Sequence, residues 1–366
     1  MIITRKIEIY LAEKDKEQKT AFIKTVYKWR NFVRNGANEL LSYLYSVEKL
    51  KYYKFITEGT KIELGIIGAK GEPVKEMSAN YVLLSERMKG EIPMDIANCL
   101  QQSVSKTYRE TKKDLLLGNS TLRTYKNTIP IPFSGKSITH FNWDAADKRF
   151  YFNLFGLPFA THLGRDRSNN KVIIDRVLSS EYKLCQSAIQ INDTKKKMFL
   201  LLCVDIPKTE VVLEEKEVFA FLGIETPITA MLNQKMVTQI GTKEEYLHNR
   251  LQIQAALHRL QKACKYNTGA HGRKAKLQAI ERFELKERNY VATKLHLYSR
   301  LLVDWAIKNK CNKIVLVNQE EKEDDAKQTE FLLRNWGYYN LNTLIEYKAK
   351  MVGIQVLKQS VETIKM

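Results

Sequence analysis

Ile314-Val315-Leu316-Val317-Asn318-Gln319 is the stretch on which the reading of this chain turns. Four aliphatic side chains in succession, closed by two amides, read as a buried strand. The isopropyl group of Val317 offers no lone pair. This end of the strand therefore cannot hold a hard cation such as Mg²⁺, which takes oxygen ligands. Upstream, Val291, Leu295, Tyr298, Leu302 and Trp305 recur at alternating four- and three-residue steps. That is the stripe of a long helix delivering the chain to the strand at Lys313 to Val317.

Further back, Val218 to Ile224, Pro227 to Leu232 and Met236 to Ile240 read as three strands joined by short turns, reached through a charged, extended link at 211–217. Thr242-Lys243-Glu244-Glu245 is a capping-box-like start for a helix running to about Tyr266. The glycine- and base-rich segment 267–276 is expected to break it. Lys262, Lys265, Arg273, Lys274, Lys276 and Arg282 combine charge with glycine freedom, which suits phosphate contacts. A loop of no sequence significance is the plainer alternative. His271 has no His or Cys partner at ligand spacing, and Asp304 and Glu346 sit in helical patterns as surface charges.

The amino-terminal part begins with an alternating strand, Ile2 to Tyr10, and a charged helix start from Glu13 to Lys19. Phe22, Val26, Trp29 and Val33 then form an apolar helical stripe, with Lys24, Lys28, Arg30 and Arg34 off it. Those four suit a face that tracks a nucleic-acid backbone; for any one of them, a solvated helix surface is the simpler account. Gly59 to Pro73 reads as a loop. From Met94 to Leu117 a second helix carries Ile96, Leu100, Val104 and Tyr108 on one stripe, with Lys106, Arg109, Lys112 and Lys113 elsewhere. Arg123 and Lys126 follow on the way into a strand-rich region. There Arg149 to Leu154, Lys171 to Val177, Ala188 to Ile191 and Met198 to Ile206 read as strands, the last two joined by a turn at 192–195. Several short strands suggest a small barrel. Phe150, Phe152 and Phe155 are possible base-stacking platforms, although alternating aromatics in a barrel are usually its core. The polar loop 164–171, with Arg165 and Arg167, is the better candidate for RNA contact.

Composition agrees with a polyanionic partner. Sixty Lys and Arg against 41 Asp and Glu give a formal charge of +19, enough for a long-range attractive field. Charge alone does not choose among nucleic acids and membrane surfaces. The five cysteines, Cys99, Cys185, Cys203, Cys264 and Cys311, show no short Cys-x-x-Cys spacing of the kind a structural zinc site needs. With no secretory signal and no long apolar run, the expected location is a reducing cytoplasm, with no membrane partner.

Several stretches carry a family likeness. Val218-Phe219-Ala220-Phe221-Leu222-Gly223-Ile224-Glu225 resembles the first strand of a RuvC-type nuclease domain, which normally ends in Gly-Ile-Asp followed by a small residue and glycine. Here Glu225 replaces the aspartate and Thr226-Pro227 the small turn. Leu344 to Ile354 resembles the helix-to-strand passage before a zinc ribbon and a third catalytic aspartate. Tyr125 to Ser134 and Lys197 to Pro207 are similar to a wedge domain. Together, and nearly along the whole chain, these segments resemble the TnpB and compact type V-F CRISPR effector family.

The resemblance implies an α+β multidomain architecture. Residues 1–13 would be a first wedge strand, 14–128 a helical recognition domain and 129–212 a wedge β-barrel. Residues 213–357 would be a degenerate, truncated RNase H-like (RuvC) domain lacking the zinc ribbon and third acidic motif, with 358–366 as a tail. It implies a guide RNA, a target DNA duplex and a homodimer on one RNA. In the family, carboxylates clamp two divalent ions about 3.5–4 Å apart. In this chain one is lengthened to Glu225, one is Val317 and the third is expected to be absent. The expectation is therefore an RNA-guided DNA-binding protein without nuclease activity, needing neither Mg²⁺ nor Zn²⁺. It would act in transcription by recruiting an extracytoplasmic-function sigma factor and RNA polymerase, or alternatively by occluding promoters. Two other classes stand beside it: an active RNA-guided nuclease borrowing carboxylates from elsewhere, and a guide-free basic nucleic-acid binder.

Overall fold

A computed structural model describes residues 2–51, 76–166, 168–207, 213–223, 226–232, 236–265, 270–318 and 338–360. The chain divides into two units, Met1–Pro207 and Lys208–Met366.

The first unit is built on an antiparallel sheet. Its strands are β1 (Ile2–Leu11), β2 (Ile131–Phe133), β3 (Ile138–Asp144), β4 (Arg149–Leu154), β5 (Leu157–His162), β6 (Lys183–Leu184), β7 (Ser187–Asn192) and β8 (Lys197–Asp205). They run in the order β2-β7-β8-β1-β5-β4-β3, with β6 paired to β8. Period-two alternation buries one face: Ile3, Ile7 and Ile9 of β1 lie with Leu200, Leu202 and Val204 of β8, and Leu11 pairs with Phe159 of β5. β1 is thus central although it comes first in the chain. Strand pairing does not close a barrel, because β2 and β3 lie at the two ends of the path. Small oligonucleotide-binding barrels are themselves only partly closed.

Helices α1 (Lys16–Lys51), α2 (Glu76–Met88) and α3 (Met94–Leu116) accompany this sheet. α1 buries Val26, Trp29 and Val33 of its expected stripe, with Phe22 half-buried and Ala37 and Leu40 continuing it, and α3 buries Ile96, Leu100, Val104 and Tyr108 as expected from spacing. α1 and α2 approach closely at Gly36, where a Cβ would run into Met88 and Leu84. The sequence did not signal α2. The loop expected at Gly59 to Pro73 lies outside the described residues.

One expected strand is a helix. Lys171 to Val177 forms part of α4 (Asn170–Leu178), despite its β-branched residues. Ile173 and Ile174 are buried and Val177 is half-buried, an i, i+1, i+4 pattern that only a helix satisfies. Asp166 Oδ2 accepts from Lys171 N at 2.7 Å, occupying one of the free first-turn donors.

The second unit holds β9 (Glu214–Phe221), β10 (Ile228–Leu232), β11 (Met236–Ile240), β12 (Cys311–Asn318) and β13 (Gln355–Ser360), in the order β11-β10-β9-β12-β13. The first three form an antiparallel meander; β12 and β13 run parallel to β9. This is the strand arrangement of an RNase H-like sheet. β9 begins four residues before the expected Val218, so much of the supposed link is strand. Cross-strand ion pairs keep its charged residues there: Lys313 with Glu217 at 3.0 Å and Lys310 with Glu214 at 3.1 Å.

Helices α5 (Lys243–Lys265), α6 (Ala270–Lys308) and α7 (Tyr338–Met351) complete this unit. Thr242 Oγ1 accepts from Glu245 N at 3.2 Å and caps α5. Leu295, Tyr298 and Leu302 of α6 join Leu341, Ile345 and Ala349 of α7 over Val218, Ala220, Ile314 and Leu316. Of the break expected over 267–276, residues 270–276 are helical, since α6 starts at Ala270, and 267–269 lie outside the described residues. Alanine, lysine and arginine are good helix formers and outweigh the single Gly272.

Candidate nucleic-acid interface

Three of the basic residues singled out from sequence meet at one groove of about 1190 Å³ in the first unit. α3 forms one wall. Because Leu100, Val104 and Tyr108 are spent on the core, Lys106 and Arg109 project from its polar side. The opposite wall is the segment leading into β2, with Arg123, Tyr125, Ile129 and Pro130; Thr4, Ser187 and Cys203 lie at the base. Lys106, Arg109 and Arg123 are all exposed. Arg109 Nε donates to Ser105 O at 3.2 Å, which orients the guanidinium along the helix.

The walls are held by uncharged polar side chains. Asn38 of α1 donates to Tyr125 O at 3.0 Å and accepts from Tyr125 N at 2.8 Å. Gln186 Nε2 donates to Cys99 O at 3.2 Å and Ser103 Oγ at 3.0 Å, tying α3 to the start of β7. Asp95 accepts from Ser134 N at 2.7 Å and Ser137 Oγ at 2.8 Å, fixing the first turn of α3 to the end of β2. Sequence reasoning did not single out Asn38, Asp95 or Gln186. Single polar residues at helix and strand ends carry no periodic signal.

The other basic candidates are dispersed. Lys24, Lys113, Lys126 and Arg165 are exposed, and Arg167 lies outside the described residues. Lys28 pairs with Glu91 at 2.7 Å and Lys112 with Glu48 at 2.6 Å. Arg34 is half-buried and donates to Asn35 Oδ1 and Asn127 Oδ1. Arg30 is a correction. Its side chain is only 7% exposed, Nη1 donates to both Asp193 oxygens at 2.8 Å, and the guanidinium lies 4.6 Å from the Tyr27 ring centre. It fastens α1 to the β7–β8 turn, and its burial keeps the guanidinium from a phosphate at the surface. Phe150 and Phe152 are core residues, the latter stacked on Phe159 at 5.5 Å, and Phe155 meets Trp29 edge-on at 5.6 Å. The two buried rings, Phe150 and Phe152, offer no face to a base, and Phe155 is half-buried against Trp29.

In the second unit, Lys262 and Arg282 are exposed on α5 and α6. The side chains of Lys265, Arg273, Lys274 and Lys276, and Glu225, lie outside the described residues. Val317 is fully buried near the end of β12, in register with Phe221 of β9 and Gln359 of β13. Alternation turns it away from the face covered by α6 and α7. This position does not fit a divalent cation. Glu217 of β9 sits roughly 13 Å back along the strand, at about 3.3 Å per residue, and is engaged with Lys313. Asp304 pairs with Arg300 and Glu346 with Lys358, each at 2.8 Å. Among the described residues, no three His, Cys, Asp or Glu side chains come together as a metal site.

One lysine is strongly perturbed. Burial, reinforced by Arg300, brings Lys348 of α7 down to about 8. Its Nζ donates to Ser299 Oγ at 2.8 Å and to His296 O. His296 is itself lowered, by burial and then by Lys348. These groups seam α6 to α7.

No family model matches the chain. Curated proteins do. The CRISPR-associated endodeoxyribonuclease Cas12f1 of Sulfoacidibacillus thermotolerans is 28% identical over 264 residues, covering 69% of this chain and 62% of its own length. Cas12f1 of Syntrophomonas palmitatica is 28% identical over 288 residues, covering 73% and 57%. This chain is a relative of the compact type V-F effectors. It spans about three-fifths of the length of the Cas12f1 proteins it matches. Their likeness extends to the fold: the cryo-EM structure of a Cas12f1–sgRNA–target DNA complex superposes with a TM-score of 0.70, at 16% identity, over 99% of this chain and 90% of that one. No helix among the described residues is long and apolar enough to cross a membrane.

Proposed function

We propose that this protein binds DNA under the direction of a guide RNA and does not cut it. The observation that carries the binding reading is the convergence of Lys106, Arg109 and Arg123 on one groove, in a chain whose relatives include Cas12f1. Such effectors delegate sequence to RNA–DNA pairing and use the protein for the backbone and a short duplex motif. Exposed guanidinium and ammonium groups beside a sheet wall suit that work. The loss of cutting rests on Val317. A two-ion site needs oxygen ligands to hold its cations, and a buried isopropyl group near the end of β12 supplies none. The two curated relatives are named as endodeoxyribonucleases, so this chain would depart from them in chemistry while keeping the fold.

A protein that binds without cutting leaves its target occupied. In this proposal it works in the bacterial cytoplasm as a homodimer on one RNA, without Mg²⁺ or Zn²⁺ as a working cofactor. It regulates transcription, delivering an extracytoplasmic-function sigma factor and RNA polymerase to the R-loop; simple occlusion of a promoter is the alternative outcome. The decisive experiment sequences RNA that copurifies with the protein expressed beside its native flanking DNA. That RNA is then used to program binding and cleavage assays in Mg²⁺. One structured RNA with a segment matching promoters, and retention of target DNA without nicking, is expected. Heterogeneous RNA would sink guidance, and Mg²⁺-dependent cleavage lost in Glu225→Ala would establish an active nuclease.

A further inference from the structure

Resting on that nucleic-acid reading, we infer that the α5–α6 hairpin carries a separate site for an unpaired polynucleotide strand. A cleft of about 700 Å³ opens along one side of the hairpin. Ile253, Phe283 and Tyr290 form its apolar floor, and Arg259 of α5 faces Lys286 of α6 across it. The helices are held at fixed separation by Arg250 Nε to Glu287 Oε1 at 2.7 Å, Gln254 Nε2 to the same oxygen at 2.9 Å, and Tyr290 Oη to Glu245 O at 2.7 Å. The cleft is therefore part of the packing and not a gap between loose helices.

Helical spacing extends its charge toward the hairpin end. On α5, Arg259 and Lys262 are three apart; on α6, Lys286 and Arg282 are four apart, so each pair shares a face. All four are exposed, and none forms an ion pair with a described residue. Of the acids nearby on α6, Glu281 is exposed beside Arg282, whereas Glu284 and Glu287 lie along a different cleft with Arg288. Phe283 is half-buried, with Lys286 Nζ 5.9 Å from its ring centre. A half-exposed ring flanked by cations is the arrangement that stacks one base while its phosphates are neutralised. A duplex hides its base faces, so the chemistry selects a single strand. That strand would come from an unpaired part of the RNA or from displaced DNA.

The test measures binding of short labelled oligouridylate, oligothymidylate and a DNA duplex to the full chain, at one salt concentration. Phe283→Leu keeps the apolar floor and removes the ring; Arg259→Ala with Lys286→Ala removes the cations at exposed positions. Each is expected to weaken single-strand binding about tenfold, with duplex affinity and melting temperature unchanged. A 4-thiouridine oligomer should also crosslink wild-type protein within the peptide holding Phe283. Wild-type affinity in both variants, equal loss for duplex and single strand, or crosslinks confined to the first unit would each overturn the site. Preference for uridylate over thymidylate assigns it to RNA, and the reverse to displaced DNA. Failure of the wild type to bind any probe would instead overturn the nucleic-acid reading itself.

Discussion

Arg30 shows how a single side chain changes meaning with its surroundings. Its position off the apolar stripe of α1 suits a backbone-tracking face, yet its side chain is 7% exposed while that of its partner Asp193 is 52% exposed. The asymmetry gives a sharp expectation. Asp193→Ala strands a buried guanidinium and should cost about 2 kcal/mol. Arg30→Met leaves only a carboxylate that water can resolvate, and should cost less, on the order of 1 kcal/mol. Chemical denaturation of the two variants checks the order, and RNA retention should be unaltered in Arg30→Met. Val317 makes the complementary case. Glutamate there would place a carboxylate at a fully buried position, so Val317→Glu should destabilise by roughly 3 kcal/mol or more. It should not gain Mg²⁺-dependent cleavage. A stable, cleaving Val317→Glu would mean that the remaining ligands are present and that one side chain alone separates this chain from a nuclease.

At the scale of elements, α6 and α4 mark what periodicity can and cannot reveal. The stripe through Val291, Leu295, Tyr298 and Leu302 spans several turns, and no other secondary structure buries those residues together. Lys171 to Val177 covers barely two turns, where β-branched composition competes with spacing; the local Asp166 cap tips it to helix. Lys348, which seams α6 to α7, could not be distinguished from any other surface lysine, because its state depends on Arg300 and on burial arising from a different helix. Its lowered value sets a pH dependence. Between about 8 and the ordinary lysine value of 10.5, the unfolded chain holds a proton that the folded chain has released. Folding is thus favoured as pH rises through that window. Below it both states are protonated, and the cost of burying the charge is constant. The melting temperature of the wild type relative to Lys348→Met should therefore increase between pH 7 and 9.5. A difference independent of pH would show that Lys348 is solvated and unshifted.

For the whole molecule, the excess of positive charge announces a polyanion without saying where it binds. The groove residues come from α3 and from the segment before β2, and only the fold brings them together; the residues that hold its walls, Asn38 and Gln186, gave no signal at all. Lys28 and Lys112 looked equivalent to Lys106 in the sequence, but each has an acidic partner and contributes less to the outward field. Binding energetics should separate the two groups. Each phosphate contact releases counterions and contributes close to one unit of slope in a plot of log K against log salt concentration. Replacing Lys106, Arg109 and Arg123 together by alanine should reduce that slope by about 2–3 and weaken nucleic-acid binding most at low salt. Lys28→Ala, which removes a cation already paired with Glu91 and not with a phosphate, should change the slope by less than about one-half. If the triple variant kept the wild-type slope, the positive charge of this chain would be acting diffusely over its surface, and the groove would have no special part in holding nucleic acid.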